Sequence, residues 1–224
     1  MDKNFPILHF EFAPADDPKL RNDGYGKGML ILDRRPFWYS NTESDPQPFD
    51  WTWVGFLEQP AVIWTPLISE QAYPFKWLND VAPDLGELWR CAESRWARLG
   101  DAFADAEEPI LCNFDRRHNL AAGWKGIALP VLFWLRVGDS VLLSTENGIS
   151  LCASFSACKG SIQTIGDTLK STFEHSPNPR VVSAVRAWQY RLGKISETEP
   201  DQHVSDGKNS GSVCFPIRAG ERTP

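Results

Sequence analysis

Apolar side chains alternate with His9 and Glu11 between Ile7 and Phe12, and that period of two predicts a strand. The next stretch, Ala13 to Gly28, carries Pro14, Asp16, Asp17, Pro18, Asn22, Asp23, Gly24, Gly26 and Gly28, and its turn chemistry predicts a loop. Met29 to Asp33 reads as a second strand. Arg34, Arg35 and Pro36 follow, then Phe37-Trp38-Tyr39, and the polar, Pro-bearing segment Ser40 to Pro48 reads as another loop. Asp50 is placed to N-cap a helix beginning at Trp51, with Trp53, Phe56 and Leu57 on one face. Pro60 and Pro66 each remove a donor and crowd the preceding turn. The expectation for Asp50 to about Ser69 is therefore two short helices or one kinked helix.

The strongest helical pattern runs from Asp84 to Leu99. Leu85, Leu88, Trp89, Ala92, Trp96 and Leu99 recur at i, i+3, i+4 and i+7, with Asp84 at the N-cap and Gly100 just past the end. Asp101 to Glu108 reads as an acidic, solvated connector, Ile110 to Phe114 as a short strand, and Asn119 to Trp124 as one helical turn stopped at Gly126. Leu129 to Leu135 and Ser140 to Ser144 flank Gly138-Asp139, a hairpin signal. Asn147-Gly148 marks a second turn before a strand at Ile149 to Phe155, so a three-stranded meander is expected. Ser161 to Thr172 and Arg180 to Leu192 read as helices, the second with the stripe Val181, Val182, Val185 and Trp188. From Gly193 the composition turns to Ser, Gly, Lys, Asp and Glu. Residues 1–195 are thus expected to form a single α+β domain and 196–224 a disordered polar tail. The expected architecture is one small, mostly antiparallel sheet packed with about four to five helices.

Composition narrows the function classes. Hydrophobic residues are 42% of the 224, with 10 Trp and 13 Phe, enough to build a core without covalent staples. A formal charge of -6 argues against general, sequence-independent nucleic-acid binding, which needs a basic footprint. The five Cys (Cys91, Cys112, Cys152, Cys158 and Cys214) show no C-x-x-C pair and no zinc spacing, and read as reduced thiols used as small hydrophobes. The opening MDKNFPILHFEF lacks the features of a secretory signal, and no run approaches membrane-spanning length, so the expected address is the cytoplasm. No cofactor is implied.

The motifs of metalloproteases, P-loops, α/β-hydrolases and dinucleotide-binding folds are missing. Gly24-Tyr-Gly-Lys-Gly28 precedes a strand instead of opening a helix, the wrong setting for a phosphate cradle; a hairpin whose glycines supply positive φ is the plainer reading. The densest polar cluster is Asp115-Arg116-Arg117-His118-Asn119. It offers His118 as a general base, Asp115 to orient it, and Arg116 or Arg117 for an anion, or simply a capping turn with solvated charges. His118 and Asp115 meet only if this segment is helical. Cys112, six residues before His118, is a conceivable nucleophile beside Arg116 and Arg117, though its apolar run favours a buried thiol. Trp51, Trp53 and Trp64, with Tyr73-Pro74-Phe75, suggest either an aromatic binding platform or core.

Taken in order, several features resemble the region that precedes the peptidase domain in some long ImmA/IrrE-type bacterial metalloproteins. They are the Asp50-Trp-Thr-Trp-Val-Gly-Phe-Leu segment, Trp64 followed by Glu70 and Tyr73-Pro74, and the Asp115 to Asn119 cluster with Leu120-Ala121 and Gly126. Leu129-Pro130 leading to a hairpin at Arg136 and a late Ala187-Trp188 helix complete the set. The resemblance covers roughly residues 5 to 192. The four His (His9, His118, His175 and His203) never pair at H-E-x-x-H spacing, so no zinc ligand or catalytic residue carries over. What the resemblance implies is a bacterial sensing or docking module without its peptidase.

The sequence thus points first to a non-catalytic interaction or regulatory module that binds a protein partner, with Arg116, Arg117, His118, Asp115, Trp51 and Trp53 as candidate binding residues. Two alternatives stay open. One is a small hydrolase using His118 with Asp115 or Cys112. The other is a nucleic-acid binder built on Arg34, Arg35, Arg116, Arg117 and Lys125.

Overall fold

The computed structural model describes residues 6–40, 45–79, 84–122, 124, 127, 129–145 and 150–192. Lys125, Gly126, the Asn147-Gly148 turn, Cys214, His203 and the expected polar tail lie outside the described residues.

The chain has an α+β fold with two antiparallel sheets instead of the single one expected, and eight helices among the described residues. The first sheet holds β1 (Leu8–Pro14), β2 (Tyr25–Leu32) and β3 (Arg35–Trp38), in that order. β4 (Phe49–Thr52) pairs with the other end of β2. The expected loop from Ala13 to Gly28 is mostly regular structure. β1 pairs with β2 from Leu8↔Leu32 to Pro14↔Gly26, and α1 (Pro18–Asn22) starts on Asp17, whose carboxylate accepts from the Lys19 N–H. Of the three glycines, only Gly24 has a positive φ, +84°. Gly28 instead makes room for an indole: a Cβ there would lie 2.4 Å from Trp53 Cζ2, and Trp53 Nε1 donates to the Gly26 carbonyl at 3.0 Å. The glycine-rich strand is a seat for Trp53, not a phosphate loop.

Asp50 and Trp51 belong to β4, where Asp50 faces Lys27 across the pair; the helix that follows, α2 (Val54–Ser69), starts three residues later than expected and runs unbroken through Pro60 and Pro66. An interior proline costs about 3 kcal/mol. α2 absorbs two because it is buried on nearly every side: Val54 to Leu57, Gln59 to Ala61, Ile63, Trp64 and Leu67 all face core. α3 (Lys76–Asn79) leads to α4 (Leu85–Leu99), with Asp84 accepting from the Glu87 N–H at 3.0 Å and Gly100 at φ +56°, as the pattern predicts. The acidic stretch is not a connector but α5 (Asp101–Ala106). Ile110 to Phe114 is not a strand; it lies in α6 (Glu108–His118), where Leu111, Phe114 and His118 turn inward at helical spacing. A short apolar run fits either period, and here packing against α2 and α5 selects the helix.

The chain then makes an Asx-type turn, with Ala121 N donating to Asn119 Oδ1, where one helical turn was expected. The predicted meander follows as β5 (Phe133–Val137), β6 (Ser140–Ser144) and β7 (Ser150–Ser154), with Gly138 at φ +60° in the first turn. α7 (Phe155–Phe173) begins directly on Ser154, six residues earlier than expected, and α8 (Pro179–Leu192) closes the described fold. α8 packs along α2, pinned by a bidentate Arg180–Glu58 pair at 2.9 and 3.0 Å, and Trp188 lies on Gly166 of α7.

β5 divides the interior. Trp134 joins the main core with Trp53, Trp64, Leu143, Ile162 and Trp188. Phe133 and Leu135, on the opposite face of the strand, join a second cluster with Tyr73, Leu88, Phe103, Leu111 and Phe114. The second sheet is therefore a middle layer, with α2 and α7 on one side and α4 to α6 on the other.

Candidate functional site

Of the polar cluster singled out by sequence, Asp115 to His118 occupy the last turn of α6 and share a helical turn, while Asn119 is its extended C-cap. His118 is fully buried and lies against Phe114 at 4.1 Å between ring centroids, with Phe133 at 5.7 Å. Its Nδ1 is 2.7 Å from the Trp134 carbonyl oxygen and its Nε2 is 3.0 Å from Glu70 Oε2. A carbonyl can only accept, so Nδ1 carries a proton and donates. Burial pushes the Glu70 carboxyl up, but hydrogen bonds and charge from His118 and Arg117 outweigh it and hold the group below the usual carboxylate range. Both ring nitrogens are therefore engaged by the protein itself, Nδ1 by the Trp134 carbonyl and Nε2 by the Glu70 carboxylate.

The same carboxylate oxygen accepts from Arg117 Nη2 at 3.0 Å. Glu70 is the C-terminal cap of α2, and that helix end is tied down further by donors to its free carbonyls. Trp134 Nε1 donates to Leu67 O at 3.1 Å and Arg136 Nη1 to Ile68 O at 2.8 Å; Gln59 of α2 in turn donates from Nε2 to Asn119 O at 3.3 Å, at the end of α6. The cluster is thus a clamp joining α2, α6 and β5, with each helix end finished by groups from its neighbour.

The other candidates fall elsewhere. Asp115 is half-buried; its Oδ1 is shut from solvent with no hydrogen-bond partner among the described residues, and burial pushes its carboxyl up from 3.8 to about 6. It does not orient His118, whose nitrogens are taken by Glu70 and Trp134. Cys112 is exposed, not buried. Its thiol is pushed up by partial desolvation and by the Glu108 and Asp115 carboxylates, the wrong direction for a thiolate nucleophile. Arg116 is exposed and reaches Asn113 Oδ1 at 3.4 Å. Arg34 and Arg35 sit at the β2–β3 turn, on a different element from Arg116 and Arg117, and Arg117 is engaged by Glu70.

The aromatic platform is corrected as well. Trp53, Trp64 and Tyr73 are core, and Trp51 is half-buried against it. Of the ten Trp, Trp96 alone is exposed, at 55%. It lies on the apolar stripe of α4, which continues past the point where the second core ends. Leu88 and Ala92 are buried, but Trp96 and Leu99, at 39%, are not. Sequence reasoning counted both toward the core face, and only the exposed end of the stripe sets them apart. It also gave Glu70 no role in the cluster, since the partner of His118 lies 48 residues away in the chain.

Among the described residues no group of three or more His, Cys, Asp or Glu is placed to hold a metal ion, and no helix is long and apolar enough to cross a membrane. No protein family matches the chain, and neither a curated protein nor a solved structure is detectably similar to it.

Proposed function

We propose that this chain is a non-catalytic protein-interaction module, corresponding to the leader region of ImmA/IrrE-type proteins that its motifs resemble, and that it binds its partner through the outer end of the α4–α6 layer. One observation carries this reading. The apolar stripe of α4 runs beyond the core to expose Trp96 and Leu99 at 55% and 39%, and Ile110 in the first turn of α6 is exposed at 46%. The Arg95–Glu107 ion pair ties the last turns of α4 to the start of α6, and we read these three residues as one corner of the layer. Scattered exposed apolar side chains on other elements, such as Val62 and Val137, need no such explanation. The saturated His118 clamp supports the non-catalytic half of the reading.

The test is affinity capture from the native host with the full chain and with a Trp96→Ser/Leu99→Ser variant. Both substitutions are at exposed positions and are expected to leave the fold intact, which circular dichroism checks. A protein retained by the wild type and lost by the variant is the expected result. The same set of proteins on both baits would sink the reading.

A further inference from the structure

We infer that the partner of this corner is a cationic amphipathic helix. The inference rests on the docking reading above and adds the chemistry of what docks. Trp96 and Leu99 at the end of α4 and Ile110 in the first turn of α6 are the corner's exposed apolar residues. Between them along the chain the exposed carboxylates Asp101 and Asp105, one turn apart on α5, and Glu108 on α6 make no ion pair among the described residues. Arg95 and Glu107 neutralise each other, and the Arg95 guanidinium lies 4.7 Å over the Trp77 ring, so neither charge is free for a partner. From Trp96 to Ile110 along the chain Arg98 is the one exposed cation, against these three carboxylates. Exposed apolar side chains interspersed with unpaired carboxylates are complementary to a helix that presents apolar residues at i, i+3 and i+4 with Lys or Arg beside them. It repels an acidic helix of the same apolar pattern.

Binding is measured by fluorescence anisotropy of three labelled synthetic amphipathic peptides with one apolar pattern. Their flanking positions are all Lys, all Gln or all Glu, and each is titrated with the full chain. The Lys peptide is expected to bind about tenfold or more tighter than the Gln peptide, with the Glu peptide weakest. Asp101→Asn/Asp105→Asn/Glu108→Gln, which leaves Trp96, Leu99 and Ile110 untouched, is expected to erase that preference, and Trp96→Ser/Leu99→Ser to abolish binding. Equal affinity for the Lys and Gln peptides overturns the charge inference while leaving the docking reading standing. Lys-peptide binding that survives in the Trp96→Ser/Leu99→Ser variant overturns both. A sedimentation-velocity shift to a dimer that is lost in that variant assigns the corner to a second copy of the chain and likewise overturns the inference.

Discussion

Asp115→Asn is a substitution that should strengthen this protein, and only over a defined pH range. The Asp115 carboxyl is half-buried, with one oxygen shut from solvent and unpartnered among the described residues, and burial raises it from 3.8 to about 6. Between those values the unfolded chain has released its proton and the folded chain has not. Stability is therefore highest below the unfolded value, falls as the pH climbs toward about 6, and levels off above it. A gap of about two pH units at about 1.4 kcal/mol each sets a ceiling near 3 kcal/mol, which partial solvent contact of the side chain reduces to about 1–2 kcal/mol. Asparagine has nearly the same shape and helix propensity but never ionises, so it removes this penalty while leaving the packing of α6 unchanged. Thermal unfolding followed by circular dichroism should show the Asn variant melting roughly 3–6 °C higher at about pH 7.5. The difference should shrink toward zero as the pH is lowered to about 4. A Tm difference that does not change with pH, or an Asn variant less stable at neutral pH, would refute the argument that a desolvated charge is carried at this site.

Three further outcomes are expected. Within α7, Gly160→Ala should stabilise by about 0.5–1 kcal/mol, since a Cβ there meets nothing within 4 Å. Gly166→Ala should destabilise by about 2 kcal/mol or more despite the better propensity, because its Cβ would fall 1.8 Å from Trp188 Cζ2; chemical denaturation of the pair decides this. His118→Ala should cost about 3 kcal/mol by opening a cavity against Phe114, leaving the Trp134 carbonyl unmet and Glu70 with Arg117 alone, whereas Arg117→Ala, a third exposed, should cost under about 1 kcal/mol; similar losses in urea melts would contradict the clamp. Glu70→Gln should weaken the fold at neutral pH, and its deficit should narrow as the pH drops below the ordinary carboxylate value of 4.5, because a lowered carboxyl contributes its full stability above that point and loses it as the pH falls through its folded value; a deficit constant with pH would count against the ion pair.

Much of the fold was legible locally. The α4 stripe with Asp84 and Gly100 at its ends, the Gly138 hairpin and its third strand, and the α8 stripe were each specified by residues within one or two turns of each other. Where a local signal was ambiguous, tertiary packing decided. Ile110 to Phe114 fits either period and became helical against α2 and α5. Pro60 and Pro66 failed to break α2 because burial on most of its sides outweighs two missing donors. Trp53 went to the core because Gly28, on a strand read as a loop, leaves space for its ring and the Gly26 carbonyl accepts from its indole.

For the site, the sequence determined which groups stand at the end of α6, but not what each of them does. The role of His118 depends on Glu70 and on a Trp134 carbonyl, both brought in by the packing of α2 and β5. The charge state of Asp115 depends on how far α6 sinks into the layer, and the exposure of Trp96 on where the second core stops. Periodicity says which side of a helix is apolar. How much of that side is covered, and by what, is a property of surfaces that meet only when distant segments fold together.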